Sequence, residues 1–432
     1  MIESIIGFTA LIIMVFLRLP LAFAMGVVGF IGFWYINDYN WNAAMSMAAR
    51  RIIDTGQDYS LSVIPLFILM GNFVTKAGLS NELYRACNAF VGHKRGGLSM
   101  STILACGGFS AICGSSLATS ATMSQVAMPP MRKYGYSDGL AAASIAAGGT
   151  LGILIPPSVM LVIYGLLTES SIRELFAAGF LPGLLGIGLY LAAVQWVVFR
   201  SPESAPPGER MPWGQRFIAL RGILSTLLLF VLVMGGIYVG AFTPTEAAGI
   251  GATGAFALAA YRRKLNYQVM RDILVDTAKT SASLFAVVIC ALILSNFINR
   301  AGLPTALVEM IQAANVTPMM ALGLILLVYI ILGCVFESMS MMLLTVPIFF
   351  PVVVELGFDP IWFGIVVVVV TEISLITPPV GLNVFVLSGI IKDINTGTIF
   401  KGVFPFWVAD MVRLAVIVLV PAIVLFLPNM LY

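Results

Sequence analysis

The sequence predicts an all-α polytopic membrane protein, an inverted repeat with two re-entrant helical hairpins and two broken transmembrane helices. Three observations carry this. Of 432 residues, 60% are hydrophobic and only 10% charged, against roughly 25% charged in soluble domains. The chain is also written twice. NFVTKAGL (72–79) matches NFINRAGL (296–303) at an offset of 224, which sets Pro20 on Pro244. Further on, an offset of 222 sets Pro129 on Pro351, Gly135 on Gly357 and Pro156-Pro157 on Pro378-Pro379. Finally, those paired prolines interrupt apolar stretches that are otherwise fit to cross a bilayer, GGTLGILIPPSVMLVIYG (148–165) and SLITPPVGLNVFVLSG (374–389).

The elements follow in parallel through the two halves. The first repeat covers 1–199 and the second 222–432, joined by a polar, proline-rich linker at 200–221 whose core is RSPESAPPGERMPWGQR (200–216). Two closely spaced spans open each half, at 3–17 and 20–36 and at 222–240 and 244–261. The opening MIESIIGFTALIIMVF has no basic n-region of a signal peptide, so it reads as the first span. A third span follows at 60–75 and 281–298, completing scaffolds over 3–92 and 222–298. Next come apolar regions with small or polar centres, 98–131 and 318–356. At ~1.5 Å per residue the first would make ~51 Å of helix, too long for a ~30 Å hydrocarbon core but right for two half-depth helices. These are the hairpins, the first turning at CGSSLATSAT (113–122). The broken helices occupy 139–167 and 361–391, and final spans occupy 175–199 and 403–427.

With both hairpins re-entrant, each half crosses five times, and an odd number makes the halves antiparallel. Basic residues agree. With the linker cytoplasmic, only Arg50, Arg51, Arg173 and Arg300 fall outside and Arg413 sits within the last span, leaving 18 of 23 Lys and Arg inside. Both termini are then expected on the extracytoplasmic side, with the first hairpin entering from the cytoplasm.

Inside a bilayer, non-helical backbone survives only where protein or a water-lined cavity satisfies it. Inverted repeats use such breaks to build a site at the midplane, where freed carbonyls meet cations and half-helix N-termini meet anions. The polar residues cluster accordingly. Ser115, Ser116, Thr119, Ser120 and Thr122 lie at the first tip, with Thr150 in the first break. Glu337, Ser338 and Ser340 lie at the second tip, with Thr371, Glu372, Ser374, Thr377 and Asn383 around the second break. Each half supplies one tip and one break, which implies two related ion sites flanking a shared substrate site. The plainer reading is that small residues merely let helices pack closely and that prolines kink a span. A whole hydroxyl cluster beside adjacent prolines, repeated in register, favours a site.

Glu337 and Glu372 align with Ser115 and Thr150, so the second half alone carries these acids. A carboxylate at mid-membrane costs about 2.5–3.5 kcal/mol by insertion scales, and needs a cation, a proton or hydrogen bonds. Binding sodium, titrating or bonding the hairpin backbone are all open to them. Glu246, after Pro244, reads as a scaffold residue or a helix-start acid. Asp410 and Arg413, three apart, are expected to pair. The lone histidine, His93, sits in VGHKRGG, a solvated turn. Cys87, Cys106, Cys113, Cys290 and Cys334 form no CxxC pair and no disulfide framework. One histidine without clustered ligands makes no usual zinc site. The absence of HExxH, P-loop and GxSxG motifs speaks against metalloprotease, ATPase and serine-hydrolase chemistry, so an enzyme is not expected.

GFSAICGSSLATSATMSQVAMPPMRKYGY, followed by AAGGTLGILIPPSVMLVIYGLLTESSIRELFAAGFLPG, resembles the large membrane (M) subunit of tripartite ATP-independent periplasmic (TRAP) transporters. The likeness is dense over 100–185 and continues, more weakly, through the second half. It implies a sodium-coupled secondary importer of an organic acid such as sialic acid or a C4-dicarboxylate, in the bacterial inner membrane. It also implies an elevator-type ion-transporter fold, in which scaffold spans hold a mobile unit of hairpins and broken helices. A periplasmic substrate-binding protein and a separate small four-helix (Q) subunit are the expected partners, and two sodium ions the only metal. Carried onto this chain, one sodium site would comprise Ser115, Ser116, Thr119, Gly148, Gly149, Thr150 and Pro156. The other would comprise Glu337, Ser338, Ser340, Thr371, Glu372, Thr377 and Pro378. Ser120, Thr122, Pro157, Ser158, Pro379 and Asn383 would face the substrate. The membrane potential favours such a cycle, since each charge crossing it is worth ~2.3 kcal/mol per 100 mV. A stand-alone sodium/carboxylate symporter, working without a binding protein, is the competing expectation.

Overall fold

The computed structural model describes residues 2–334 and 336–432; position 335, within the second hairpin, lies outside the described residues. The first half runs α1 (Ile2–Phe16), α2 (Leu21–Ile36), α3 (Trp41–Gln57), α4 (Val63–Lys76), α5 (Leu79–Val91), α6 (Gly97–Cys113), α7 (Ser116–Lys133), α8 (Asp138–Thr150), α9 (Val159–Thr168) and α10 (Ile172–Arg200). The second runs α11 (Trp213–Tyr238), α12 (Pro244–Tyr261), α13 (Tyr267–Arg300), α14 (Leu303–Ala313), α15 (Pro318–Gly333), α16 (Ser338–Glu355), α17 (Pro360–Ser374), α18 (Leu382–Ile390), α19 (Thr396–Leu419) and α20 (Ala422–Leu431). The hairpins are thus α6–α7 and α15–α16, and the broken helices are α8–α9 and α17–α18. The paired prolines sit in the breaks, and Pro156-Pro157 and Pro378-Pro379 are both cis.

Local sequence sets the ends. Thr243 accepts the Glu246 amide while the Glu246 carboxylate accepts the Thr243 amide, a reciprocal cap that starts α12 with Pro244 in its first turn. Glu246 is therefore a helix-start acid. Prolines also lie in the first turns of α14, α15 and α17. Gly78 and Gly302, the final glycines of the repeated AGL, take φ of +81° and +70° and turn the chain into α5 and α14.

The halves interlock rather than sit side by side. Among the early spans, α2 packs on α13 and α4 packs on α12. Small residues permit it: a Cβ on Gly29 would lie 2.6 Å from the Leu294 backbone, and one on Gly251 would lie 2.6 Å from Met70 Sδ. Elsewhere α8 packs on α19, α18 on α7 and α8, and α16 and α17 on α9, so each broken helix is enclosed by the other half. Leu140–Thr150 and Ile361–Ser374 are buried without exception.

Four boundaries differ from expectation. The third span of the second half begins at 267 rather than 281, as one helix through Arg300. Its first-half counterpart is split into α3 and α4, because Asp58 caps a short 3₁₀ turn at Tyr59–Ser62. The linker is shorter than 200–221, since α11 already starts at Trp213 after Pro212. Its backbone is pinned by Ser137 N–H to Ser204 O, Gly96 N–H to Ala205 O and Gly208 N–H to Gly92 O. Arg216 stacks over Trp213 at 4.9 Å and donates to Met211 O, so it is buried rather than part of a loose linker. Lastly, the final span ends at Leu419, and Pro421 starts a separate α20. His93 does lie in the turn between α5 and α6. It is half-buried, and its pKa is lowered, first by burial and then by Arg216, Arg210 and Lys94.

Candidate functional site

Each tip meets its own half's break. At the first, a Cβ on Gly149 would collide with Ser120 Oγ and come within 3.1 Å of Ser116 O. A Cβ on Gly152 would lie 2.9 Å from Ser110 Oγ and 3.5 Å from Ser115 O. Glycine is therefore what lets α7 and the end of α8 touch. A Cβ on Gly148 would lie 2.8 Å from Cys106 Sγ, closing the other side onto α6. In the second half the same fit is made with the partners exchanged. There Gly333 of the hairpin receives Ser374 of the broken helix, and Cys334 Sγ lies 3.5 Å from Pro378 O.

Ser115 Oγ accepts the Ala118 amide and caps α7, while Glu337 Oε2 accepts the Met339 and Ser340 amides and caps α16. Serine and glutamate thus do the same work at equivalent tips, and Glu337 is engaged with its hairpin backbone. Ser116 and Ser120 differ. Both are buried and neither hydroxyl has a hydrogen-bond partner among the described residues, an unusual state for buried polar groups. Thr119 Oγ1 lies 3.5 Å from Ser110 Oγ, and Thr122 is half-buried.

Several other expected site residues serve the break itself. Ser158 donates to Ile153 O and accepts the Leu161 amide, so it closes the break and caps α9. In α17 and the second break, Thr371 donates to Val367 O, Ser374 to Thr371 O and Thr377 to Ile373 O. Thr377 also accepts from Trp407 Nε1 at 3.0 Å. Asn383 reaches across the halves to donate to Ala146 O at 3.2 Å, leaving its Oδ1 buried without a partner. The two breaks are unequally covered: Pro156 and Pro157 are buried, whereas Pro378 and Pro379 are exposed. Ser338 is buried and Ser340 half-buried at the second tip.

Glu372 has its cation in the protein. Arg413 Nη2 donates to Glu372 Oε2 at 2.7 Å and lies 2.9 Å from Asp410 Oδ1, with all three side chains fully buried. The pairing expected of Asp410 and Arg413 is present, and Glu372 is its unforeseen third member. Glu372 Oε1 has no close hydrogen-bond partner among the described residues, and the Leu154 backbone of the first break also bears on the carboxylate. Tyr190 of α10 donates to Asp410 Oδ2 at 2.6 Å, and its oxygen lies 3.0 Å from Thr150 Oγ1. The Tyr190 proton goes to Asp410, so Thr150 shares its own proton between Tyr190 and Ala147 O, 2.8 Å away. One continuous buried network therefore runs from Thr150 in the first half to Glu372 in the second.

Tyr190 was absent from the sequence expectation, yet a signal for it exists. In the final spans Gly179 and Pro182 align with Gly402 and Pro405 at an offset of 223. That register sets Tyr190 on Arg413. The bond Thr150–Tyr190 is then the first-half counterpart of Glu372–Arg413.

The model of the family described as tripartite ATP-independent periplasmic transporter, DctM component, matches residues 8–423. The C4-dicarboxylate TRAP transporter large permease protein DctM of Pseudomonas aeruginosa is 38% identical over 382 residues, 88% of this chain and 89% of that protein. The sialic acid TRAP transporter large permease protein SiaM of Vibrio cholerae is 32% identical over 432 residues, 100% of this chain and 99% of its own. The ectoine TRAP transporter large permease protein TeaC of Halomonas elongata is 31% identical over 423 residues, 96% of each. Among solved structures, the YdaH transporter of Alcanivorax borkumensis, described as having an unusual topology, superposes with a TM-score of 0.66 over 87% of both chains. At 13% identity it speaks to the fold alone.

Proposed function

This chain belongs to the tripartite ATP-independent periplasmic (TRAP) transporter family as its large permease, the DctM component, and on that premise we propose sodium-coupled import of an organic acid. The substrate class is sialic acid or a C4-dicarboxylate, as the names of the relatives suggest. The setting is the bacterial inner membrane, with both termini periplasmic. A periplasmic binding protein delivers the acid, and a small membrane subunit completes the permease.

One observation carries the coupling ion: the orphaned hydroxyls of Ser116 and Ser120, buried where the hairpin tip meets Gly149. Hydroxyls and helix-end carbonyls are hard oxygen donors, suited to a hard cation and not to a transition metal. A sodium ion there would satisfy both groups at once. The second ion would lie between the tip 337–340 and the break 371–379, with Arg413 holding Glu372 beside it rather than leaving the carboxylate as a free ligand. Asn383, which crosses between halves, would face the acid together with Thr122 and the break prolines. The hairpins and broken helices move as one body against the α2–α13 and α4–α12 scaffold, which is the elevator reading.

The test is uptake into liposomes holding this chain and its small subunit. Labelled sialic acid and succinate are offered with and without the binding protein, under inward sodium or choline gradients. Uptake driven by sodium and requiring the binding protein is expected. Equal uptake under choline would remove sodium coupling. Uptake of the free acid without a binding protein would favour the stand-alone symporter. Transport of neither acid would remove the substrate class.

A further inference from the structure

We propose that Asp410 couples the two ion sites, joining the Thr150–Tyr190 pair of the first break to the Arg413–Glu372 pair of the second. This rests on the two-ion reading above and goes beyond it by naming the residue through which one site senses the other.

The argument begins with symmetry. The repeat supplies one bond per half between a broken helix and the final span, Thr150 to Tyr190 at 3.0 Å and Glu372 to Arg413 at 2.7 Å. In both halves the broken-helix member stands six residues before the first proline of the pair, Pro156 or Pro378. The two pairs meet where the Arg413 guanidinium lies over the Tyr190 ring, 6.0 Å from its centroid. Asp410 adds a polar bridge between them. The register that sets Tyr190 on Arg413 sets Asp410 on Ile187, so the first half has no equivalent acid. Asp410 accepts the Tyr190 proton at 2.6 Å through one oxygen and faces Arg413 at 2.9 Å through the other.

The link is suited to transmitting displacement. A charge-assisted O–H···O⁻ bond is short and about twice as strong as a neutral one. All five side chains are fully buried, so no water competes for their partners. Moving the end of α8 when an ion enters the first site shifts Thr150, and Tyr190, Asp410 and Arg413 carry the shift to Glu372 near the end of α17. Neutralising a buried acid would require only Asp410 and Arg413. The additional Tyr190 bridge to the first break is what a purely local pair does not need.

The experiment measures equilibrium binding of radioactive sodium to the purified full chain, wild type against Tyr190→Phe. Phenylalanine keeps the ring, which packs edge-on against Phe406, and removes the bridging hydroxyl. Wild type is expected to bind two ions with a Hill coefficient well above 1. Tyr190→Phe is expected to keep the stoichiometry while the coefficient falls towards 1 and half-saturation moves up, within the ~5–150-fold range typical of coupled sites. Asp410→Asn, which removes the charge facing Arg413, should flatten the curve in the same way. The double variant should match the singles rather than add to them. A curve as steep in the variants as in wild type, a non-cooperative wild type, or additive losses would each overturn the coupling while leaving the transport reading intact. A wild-type chain that binds no sodium would instead bring down the two-ion reading itself, and this inference with it.

Discussion

Arg413→Met tests whether one guanidinium holds two fully buried acids in place. Methionine approximates the length and apolar stem of arginine but cannot answer a charge. In the native chain Arg413 lies 2.7 Å from Glu372 and 2.9 Å from Asp410, and no atom of the three side chains reaches the surface. Removing one partner of a buried pair costs about 3–5 kcal/mol, because the other is left uncompensated. Here two carboxylates are left, so that range is a lower bound unless one of them takes up a proton. At ~2.1 cal/mol/K of unfolding entropy per residue, a chain of 432 residues loses about 1 °C of melting midpoint per kcal/mol, which places the expected drop at roughly 3–5 °C. The assay is the fluorescence melting midpoint of purified protein in detergent at one fixed scan rate, since such unfolding is irreversible. The decisive companion is the fully neutral variant Glu372→Gln, Asp410→Asn, Arg413→Met. Replacing a whole buried ionic cluster is often neutral or stabilising, so its midpoint should return most of the way to wild type. A single variant melting within about 1 °C of wild type, or a neutral variant melting as low as the single, would refute the reasoning.

Three further outcomes are expected. Gly149→Ala drives a methyl group against Ser120 Oγ and to 3.1 Å from Ser116 O. Overpacking of this kind costs about 1–3 kcal/mol, and sodium-dependent uptake should fall further than the melting midpoint alone would explain. Ser116→Ala removes a buried hydroxyl that has no protein partner, so the melting midpoint should hold or rise while sodium-dependent uptake collapses. Wild-type uptake in Ser116→Ala would take that residue out of the proposed ion site. Thr243→Val breaks the reciprocal cap of α12 and should cost about 0.5–2 kcal/mol, read as a lower midpoint. Because the cap lies outside the proposed ion sites, half-saturation by sodium should not move with it, and a shift there would show that α12 contributes to ion binding.

What the sequence determined by itself was the frame. Duplication, the places where helices break and the re-entrant tips all follow from effects acting over a few residues. A proline removes its own donor, a span needs a minimum run of apolar residues, and polar side chains cannot face lipid tails. Hence Pro156-Pro157 and Pro378-Pro379 marked the breaks, and 113–122 marked a tip, before any helix had been packed. Only the tertiary structure decided which polar group meets which. Glu372 and Arg413 are 41 residues apart, and Tyr190 and Asp410 are 220 apart. Periodicity along one helix could show the i, i+3 pair but not the acid arriving from another element. For the same reason the helix caps made by Ser158 and Glu337 were not legible in the sequence, because a hydroxyl or carboxylate looks alike whether its partner is an ion or a nearby amide. Helix breaks are written locally because they are made locally. The partner of a buried charge is chosen by interlocking two halves of the chain, and that choice exists only once they have packed.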